Sequence, residues 1–204
     1  MMNLEFKNKN KVFINPPIQV IYEEILKKRE GVIGKSGAMM IDTGEFTGRS
    51  PNDKYFVEES FSKDNLWWGP VNRPVKSDIF KELLNKVLDY YNSNRDAKTY
   101  IFDGYGGDDP DFRLPIRIVA RRAWQAHFSN NMFIRPTKGE LENFIPEFTI
   151  INASDISNDE FEAHGMNSET FIVFNLKKKV AIIGGTEYGG EMKKGIFSVL
   201  HYLL

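Results

Sequence analysis

Residues 171–195 read FIVFNLKKKVAIIGGTEYGGEMKKG, and this run decides the fold class. Phe171 to Leu176 is an aromatic and β-branched run of strand length. Lys177-Lys178 turns the chain, and Val180 to Ile183 is a second such run, which together predict a hairpin. Four glycines in seven residues follow, Gly184, Gly185, Gly189 and Gly190. A helix then opens at Gly190 and runs to the end of the chain, with Met192, Ile196, Val199, Leu200 and Leu203 as its apolar stripe. The start of a helix presents free amides and a partial positive charge. Lys193 and Lys194 sit in that first turn, where each cation costs about a few tenths of a kcal/mol. An anion or a metal-bound phosphate would reverse the cost, and a neutral Lys194 would avoid it. The plainer alternative is a glycine-rich connection with two solvated lysines. The segment is not a Walker A loop, which needs four residues between two glycines and then Gly-Lys-Ser/Thr; no such run occurs in the chain.

Outward from this run, strands and helices mix without strict alternation. Ile18, Ile21, Tyr22 and Ile25 after Pro16-Pro17 fit a short amphipathic helix. Ser77 is a candidate N-cap. Behind it, Phe80, Leu83, Leu84, Val87, Leu88 and Tyr91 give the clearest helical period in the chain, closed by Asn92-Ser93-Asn94. A further helix is expected from about Ala120 to Phe128. Ala38 to Ile41, Tyr55 to Val57, Tyr100 to Phe102, Leu114 to Val119 and Phe148 to Ile151 read as strands, and Gly104 to Pro110 as a loop. The fold class is α/β, a mixed β-sheet flanked by helices.

Composition narrows the function. The 204 residues fit one domain, the net charge is -1, and 13% aromatic content supports a real core. A near-neutral chain has no electrostatic reason to bind nucleic acid. The absence of cysteine excludes disulfides, thiolate metal sites and a cysteine nucleophile. The start, MMNLEFKNKNKVF, lacks a signal-peptide core, and no apolar run approaches the ~20 residues of a membrane helix. The expectation is a soluble, cytoplasmic protein with no membrane contact. The end, Tyr202-Leu203-Leu204, has neither helix terminator nor polar tail and reads as cut.

A second glycine-bearing stretch runs from Thr43 to Tyr55, TGEFTGRSPNDKY. Its flanking strands make it a loop between paired strands. Glycines allow close backbone approach, hydroxyls and amides can receive an anion, and the Arg49 guanidinium is a planar fork suited to carboxylate or phosphate. The alternative is a hairpin loop with Arg49 solvated or paired to Glu45 or Asp53. Other features point to structure. His127, His164 and His201 are scattered without metal-ligand spacing. Asp108, Asp109 and Asp111 form an acidic turn, Arg121-Arg122 a solvated or paired helix face, and Trp67-Trp68 part of the core.

Taken together, residues 42–54 (DTGEFTGRSPNDK) and 184–195 (GGTEYGGEMKKG) resemble the ATP-dependent phosphoenolpyruvate carboxykinases. The intervening runs WGPVNRP (68–74), RLPIR (113–117), NMFIRP (131–136) and HGMNSETF (164–171) are similar to that family in the same order. The resemblance covers nearly the whole chain. It implies a single N-terminal substrate-binding domain over residues 1–204, with the C-terminal nucleotide-binding P-loop domain absent from this chain. It implies conversion of oxaloacetate and ATP to phosphoenolpyruvate, CO2 and ADP, in gluconeogenesis, with the isolated piece inactive. By motif, Arg49 would grip the substrate carboxylate and nascent CO2, Tyr188 would line the same pocket, and the Gly190 amide would lie close to substrate. Lys194 would be a neutral-amine ligand of Mn2+ (or Mg2+), and Lys193 would meet phosphate oxygens. The partners so implied are oxaloacetate or phosphoenolpyruvate, CO2, ATP and the protein's own C-terminal domain. The reading from another class is a non-catalytic anion-binding or regulatory module on the same scaffold.

Overall fold

The computed structural model describes residues 11–93 and 97–204. Met1 to Asn10 and Asn94, on which parts of the sequence reading fall, lie outside the described residues. In chain order the elements are β1 (Val12–Ile14), α1 (Ile18–Lys27), β2 (Gly31–Ile33), β3 (Met39–Ile41), β4 (Lys54–Val57), β5 (Arg73–Val75) and α2 (Ser77–Ser93). There follow β6 (Thr99–Gly106), β7 (Leu114–Ala120), α3 (Ala123–Met132), α4 (Lys138–Glu142), β8 (Phe148–Ala153), β9 (Phe171–Asn175), β10 (Val180–Gly184) and α5 (Gly190–Leu203). Eight strands form one mixed sheet in the order β1-β6-β7-β8-β10-β9-β4-β5, and β2 and β3 form a separate ribbon.

The hairpin expected at residues 171–183 is present. β9 and β10 pair antiparallel from Phe171↔Gly184 to Asn175↔Val180, and β10 pairs parallel with β8 on its other edge. Every residue of both strands is buried, which explains runs without polar alternation. Alternate side chains serve opposite faces. Val173, Val180 and Ile182 join Phe80, Leu83, Leu84 and Val87 of α2 in one core. Ile172, Phe174, Ala181 and Ile183 join Met192, Ile196 and Val199 of α5 in the other. A third, smaller core sets α1 against α3 through Ile21, Ile25, Trp124 and Ala126. The sheet is therefore mixed and covered by helices on both faces. At its centre, a Cβ on Gly184 would lie 2.2 Å from the Phe171 ring and 2.5 Å from the Ile156 carbonyl, so only glycine fits.

Several expectations need correction. Thr43 to Lys54 does not join paired strands: β3 pairs with β2, whereas β4 pairs with β9 and β5. The loop crosses from the ribbon to the main sheet because β4, almost wholly buried, needs a neighbour on each edge. Arg121 is no helix-face residue. It is 6% exposed, between β7 and α3, and its guanidinium donates to the carbonyls of Ala97, Lys98 and Tyr91. Arg122 ion-pairs with Asp155 and Glu187, each at 2.7 Å. Trp67 is 70% exposed rather than core; Trp68 packs against the α5 face. β6 runs through Gly104 to Gly106, where a loop is expected, because these residues pair with Ile116, Pro115 and Leu114 of β7. Phe80 N–H donates to the Lys76 carbonyl, which places Ser77 one residue inside α2 rather than at its cap. The three-residue strands β1, β2 and β5 are too short to show a period. No described helix is long and apolar enough to cross a membrane.

Phe174 is fully buried, with its ring 5.0 Å from that of Phe56. Phe174→Ala should lower unfolding stability by about 3–5 kcal/mol, read by urea titration. Trp67→Ala should stay within about 0.5 kcal/mol of the unchanged chain; the reverse ranking would refute this assignment of core and surface.

Candidate active site

The glycine turn after β10 delivers the N-terminus of α5 to one end of the sheet. Gly185 takes a left-handed φ of 71°, Tyr188 N–H donates to Thr186 Oγ1, and α5 begins at Gly190. The Gly190 amide has no acceptor among the described residues. Its backbone lies tight under Tyr188: a Cβ there would come within 2.4 Å of that ring.

The loop that carries Arg49 is anchored on both sides of it. Thr43 Oγ1 donates to the Phe46 carbonyl, and the Gly44 amide to Asp42 Oδ1. Ser50 N–H donates to Glu191 Oε1 on α5, which binds the loop directly to the helix start. Pro51–Asp53 forms one 3-10 turn. Buried Asp53 accepts from Asn167 Nδ2 at 3.0 Å and Ser168 Oγ at 2.9 Å, and the Tyr55 hydroxyl accepts from Asn167 N–H. Arg49 itself is exposed. Among the described residues it forms no ion pair, with Glu45 or Asp53 or any other carboxylate.

A cavity of about 300 Å³ results, lined by Thr43, Arg49, Trp124, Phe128, Tyr188, Gly189, Gly190, Lys193 and Lys194. Arg49, Tyr188, Gly190, Lys193 and Lys194, singled out in the sequence, therefore meet in one place, although 139 residues (188 − 49) separate the first two. Trp124 and Phe128 of α3 supply an apolar wall that no local signal in the sequence announces. A larger hollow of about 590 Å³ adjoins it, sharing Arg49 and Lys194 and adding Lys54, Glu191, Trp67, Phe197 and His201. Lys194 Nζ lies 3.9 Å over the Phe197 ring.

Cations outnumber carboxylates here. Burial, then the charges of Arg49 and Lys194, push the Lys54 amine below its ordinary value, against Glu191. Burial holds the Glu191 carboxyl above its ordinary value, opposed by the Ser50 amide and by Arg49. Unpaired cations beside a helix N-terminus, with one apolar wall, suit a small anion.

Glu191 gives a pH test. A carboxyl whose pKa is raised on folding binds its proton more tightly in the native state. Its contribution to stability is complete below the unfolded value and is lost as pH rises through the folded value. Glu191→Gln keeps an acceptor for Ser50 and cannot ionise. Melting temperature should fall less steeply for this variant as pH climbs from just below 4.5 towards neutrality; parallel profiles would contradict the assignment.

Comparison with known proteins identifies the family. A family model described as phosphoenolpyruvate carboxykinase matches residues 10–204. The phosphoenolpyruvate carboxykinase (ATP) of Leptospira biflexa serovar Patoc is 54% identical over 195 residues, covering 96% of this chain and 36% of that protein. The phosphoenolpyruvate carboxykinase (ATP) of Campylobacter lari is 46% identical over 206 residues, covering 99% of this chain and 38% of its own length. The chain thus spans little more than a third of the length of the relatives it matches. It belongs to the phosphoenolpyruvate carboxykinase family.

Proposed function

We propose that this chain is the substrate-binding part of an ATP-dependent phosphoenolpyruvate carboxykinase. The observation that carries this reading is the meeting of Arg49, Tyr188, Gly190, Lys193 and Lys194 around one cavity at the start of α5. In the reaction, oxaloacetate loses its β-carboxylate as CO2, and the electron pair of the broken bond passes to the ketone oxygen as an enolate. That oxygen attacks the γ-phosphorus of ATP, and ADP leaves. Negative charge develops at two places, so fixed positive groups that need no reorganisation lower the barrier.

The residues divide that work. Arg49, held by the Ser50–Glu191 and Asp53–Asn167 bonds, offers a bidentate fork to a carboxylate. Tyr188 and the Gly190 amide face the same space and orient the substrate. Trp124 and Phe128 exclude water from the reacting side and strengthen each charge interaction. Lys193, exposed at the rim, meets phosphate oxygens. A divalent ion, Mn2+ or Mg2+, fits in part: Lys194 offers a nitrogen at the cavity, while the Glu191 carboxyl is turned to Ser50. Lys194 would hold the ion together with ligands from outside this chain, and the ion would supply charge to the enolate and phosphoryl oxygens. The remaining two thirds of the protein, with the nucleotide P-loop, would complete the site in the cytoplasm, and the 204-residue chain by itself would not turn over.

Arg49→Gln in the full-length protein should lower kcat/KM for oxaloacetate by roughly 10²–10³, with its circular dichroism unchanged. An unaltered kcat/KM would remove Arg49 from the mechanism. In the 204-residue chain, oxalate with Mn2+ should shift the NMR signals of Arg49, Tyr188 and Lys194.

A further inference from the structure

A second group of metal-ligand side chains lies apart from the cavity. Glu82 stands on α2. Glu160 and His164 stand in the segment between β8 and β9, where His164 N–H donates to the Glu160 carbonyl at 3.0 Å. That bond closes one helical turn and puts both side chains on the same side of it. His164 Nε2 lies 3.5 Å from Glu82 Oε1 and 3.9 Å from Glu160 Oε2. One ligand atom from each of the three residues lies within 4.8 Å of the others.

The histidine is firmly seated. Its side chain is 9% exposed, and its buried Nδ1 has no hydrogen-bond partner. The imidazole is held by packing, so Nε2 is its one outlet. That nitrogen faces two carboxylates whose own side chains are 60% and 71% exposed. Neither separation makes a good hydrogen bond. The shorter is close to the ~3.3 Å between ligand atoms around a tetrahedral ion with bonds of ~2.0–2.1 Å.

The frame is rigid. Lys86 Nζ, one turn along α2 from Glu82, donates to the Ser157 carbonyl at 2.8 Å and to Asp159 Oδ2 at 2.9 Å. Buried Asn158 N–H donates to the Glu169 carbonyl, and Met166 N–H to the Phe161 carbonyl. Met166 and Phe161 pack into the α2 core. Three donors are thus preplaced on two elements that cannot drift apart without opening that core.

We infer that Glu82, Glu160 and His164 form a surface site for a borderline divalent cation of the Zn2+ class. Two carboxylates balance the charge of the ion, a neutral imidazole supplies the nitrogen, and water fills the remaining position. The ion would staple α2 to the β8–β9 segment three residues before Asn167, which with Ser168 holds Asp53 and the Arg49 loop. The site does not depend on the activity proposed above.

The test is Zn2+ titration of the EDTA-dialysed chain by calorimetry and thermal melting, with Co2+ as a spectroscopic stand-in. One equivalent should bind and raise the melting temperature. Glu82→Gln and His164→Asn should each weaken binding by roughly tenfold or more, while Lys194→Ala leaves it unchanged. Glu82 is exposed, so its variant folds whatever happens at His164. Absence of saturable binding would overturn the inference, as would binding insensitive to Glu82→Gln and His164→Asn, or binding lost in Lys194→Ala.

Discussion

No residue of β10 faces water. The strand pairs on both edges, meets α2 on one face and α5 on the other, and leaves the sheet at Gly184, where there is no room for a side chain. This confinement aims α5. A strand with a free face or edge could shift by a residue, but here a slip would reverse every side chain between two filled cores. The direction of the first turn of α5, and with it the Gly190 amide, Lys193 and Lys194, follows from that register.

The cavity lies where this rigid strand–helix unit meets a loop with no regular structure of its own. Two contacts tie the loop to the rest of the fold. Glu191 accepts from the Ser50 amide, and Asp53 receives Asn167 and Ser168. Both carboxylates are buried. Each thereby exchanges water for hydrogen bonds, and the loop conformation becomes part of the fold. The Arg49 guanidinium is left without an ion-pair partner among the described residues, and an unpaired cation on a fixed backbone is prepared for an incoming anion. Burial of Lys54, and then its closeness to Arg49 and Lys194, costs stability, as the lowered Lys54 amine shows. Such a cost is sensible where a ligand relieves it.

Much of this was legible in the residues. The hairpin of β9 and β10, the helices α2 and α5, and Arg49, Lys193 and Lys194 stand out because period, glycine spacing and charge are local properties; Tyr188 and Gly190 come from the family resemblance. The errors have a common cause. Arg121 resembles any surface arginine until the carbonyls of Tyr91, Ala97 and Lys98 surround it. Trp67 resembles a core residue, yet lies 70% exposed. The loop at Thr43–Lys54 resembles a hairpin connection until β3 turns back to pair with β2 and β4 pairs with β9, far away in sequence. Asn167 and Ser168 lie in a run that resembles the family, but their role comes from the position of Asp53.

By itself, then, the sequence determined the longer strands and helices, that a mixed sheet is flanked by helices, which family the chain belongs to, and which residue types stand ready for an anion. These are written in nearest-neighbour chemistry and short periods. The tertiary structure alone decided that Arg49 meets Lys194, that Trp124 and Phe128 wall their cavity, and that Glu82 reaches His164 across two elements. Those contacts depend on strand order and helix direction, which are set by simultaneous burial of both faces of β9 and β10, a condition no local stretch of residues can express.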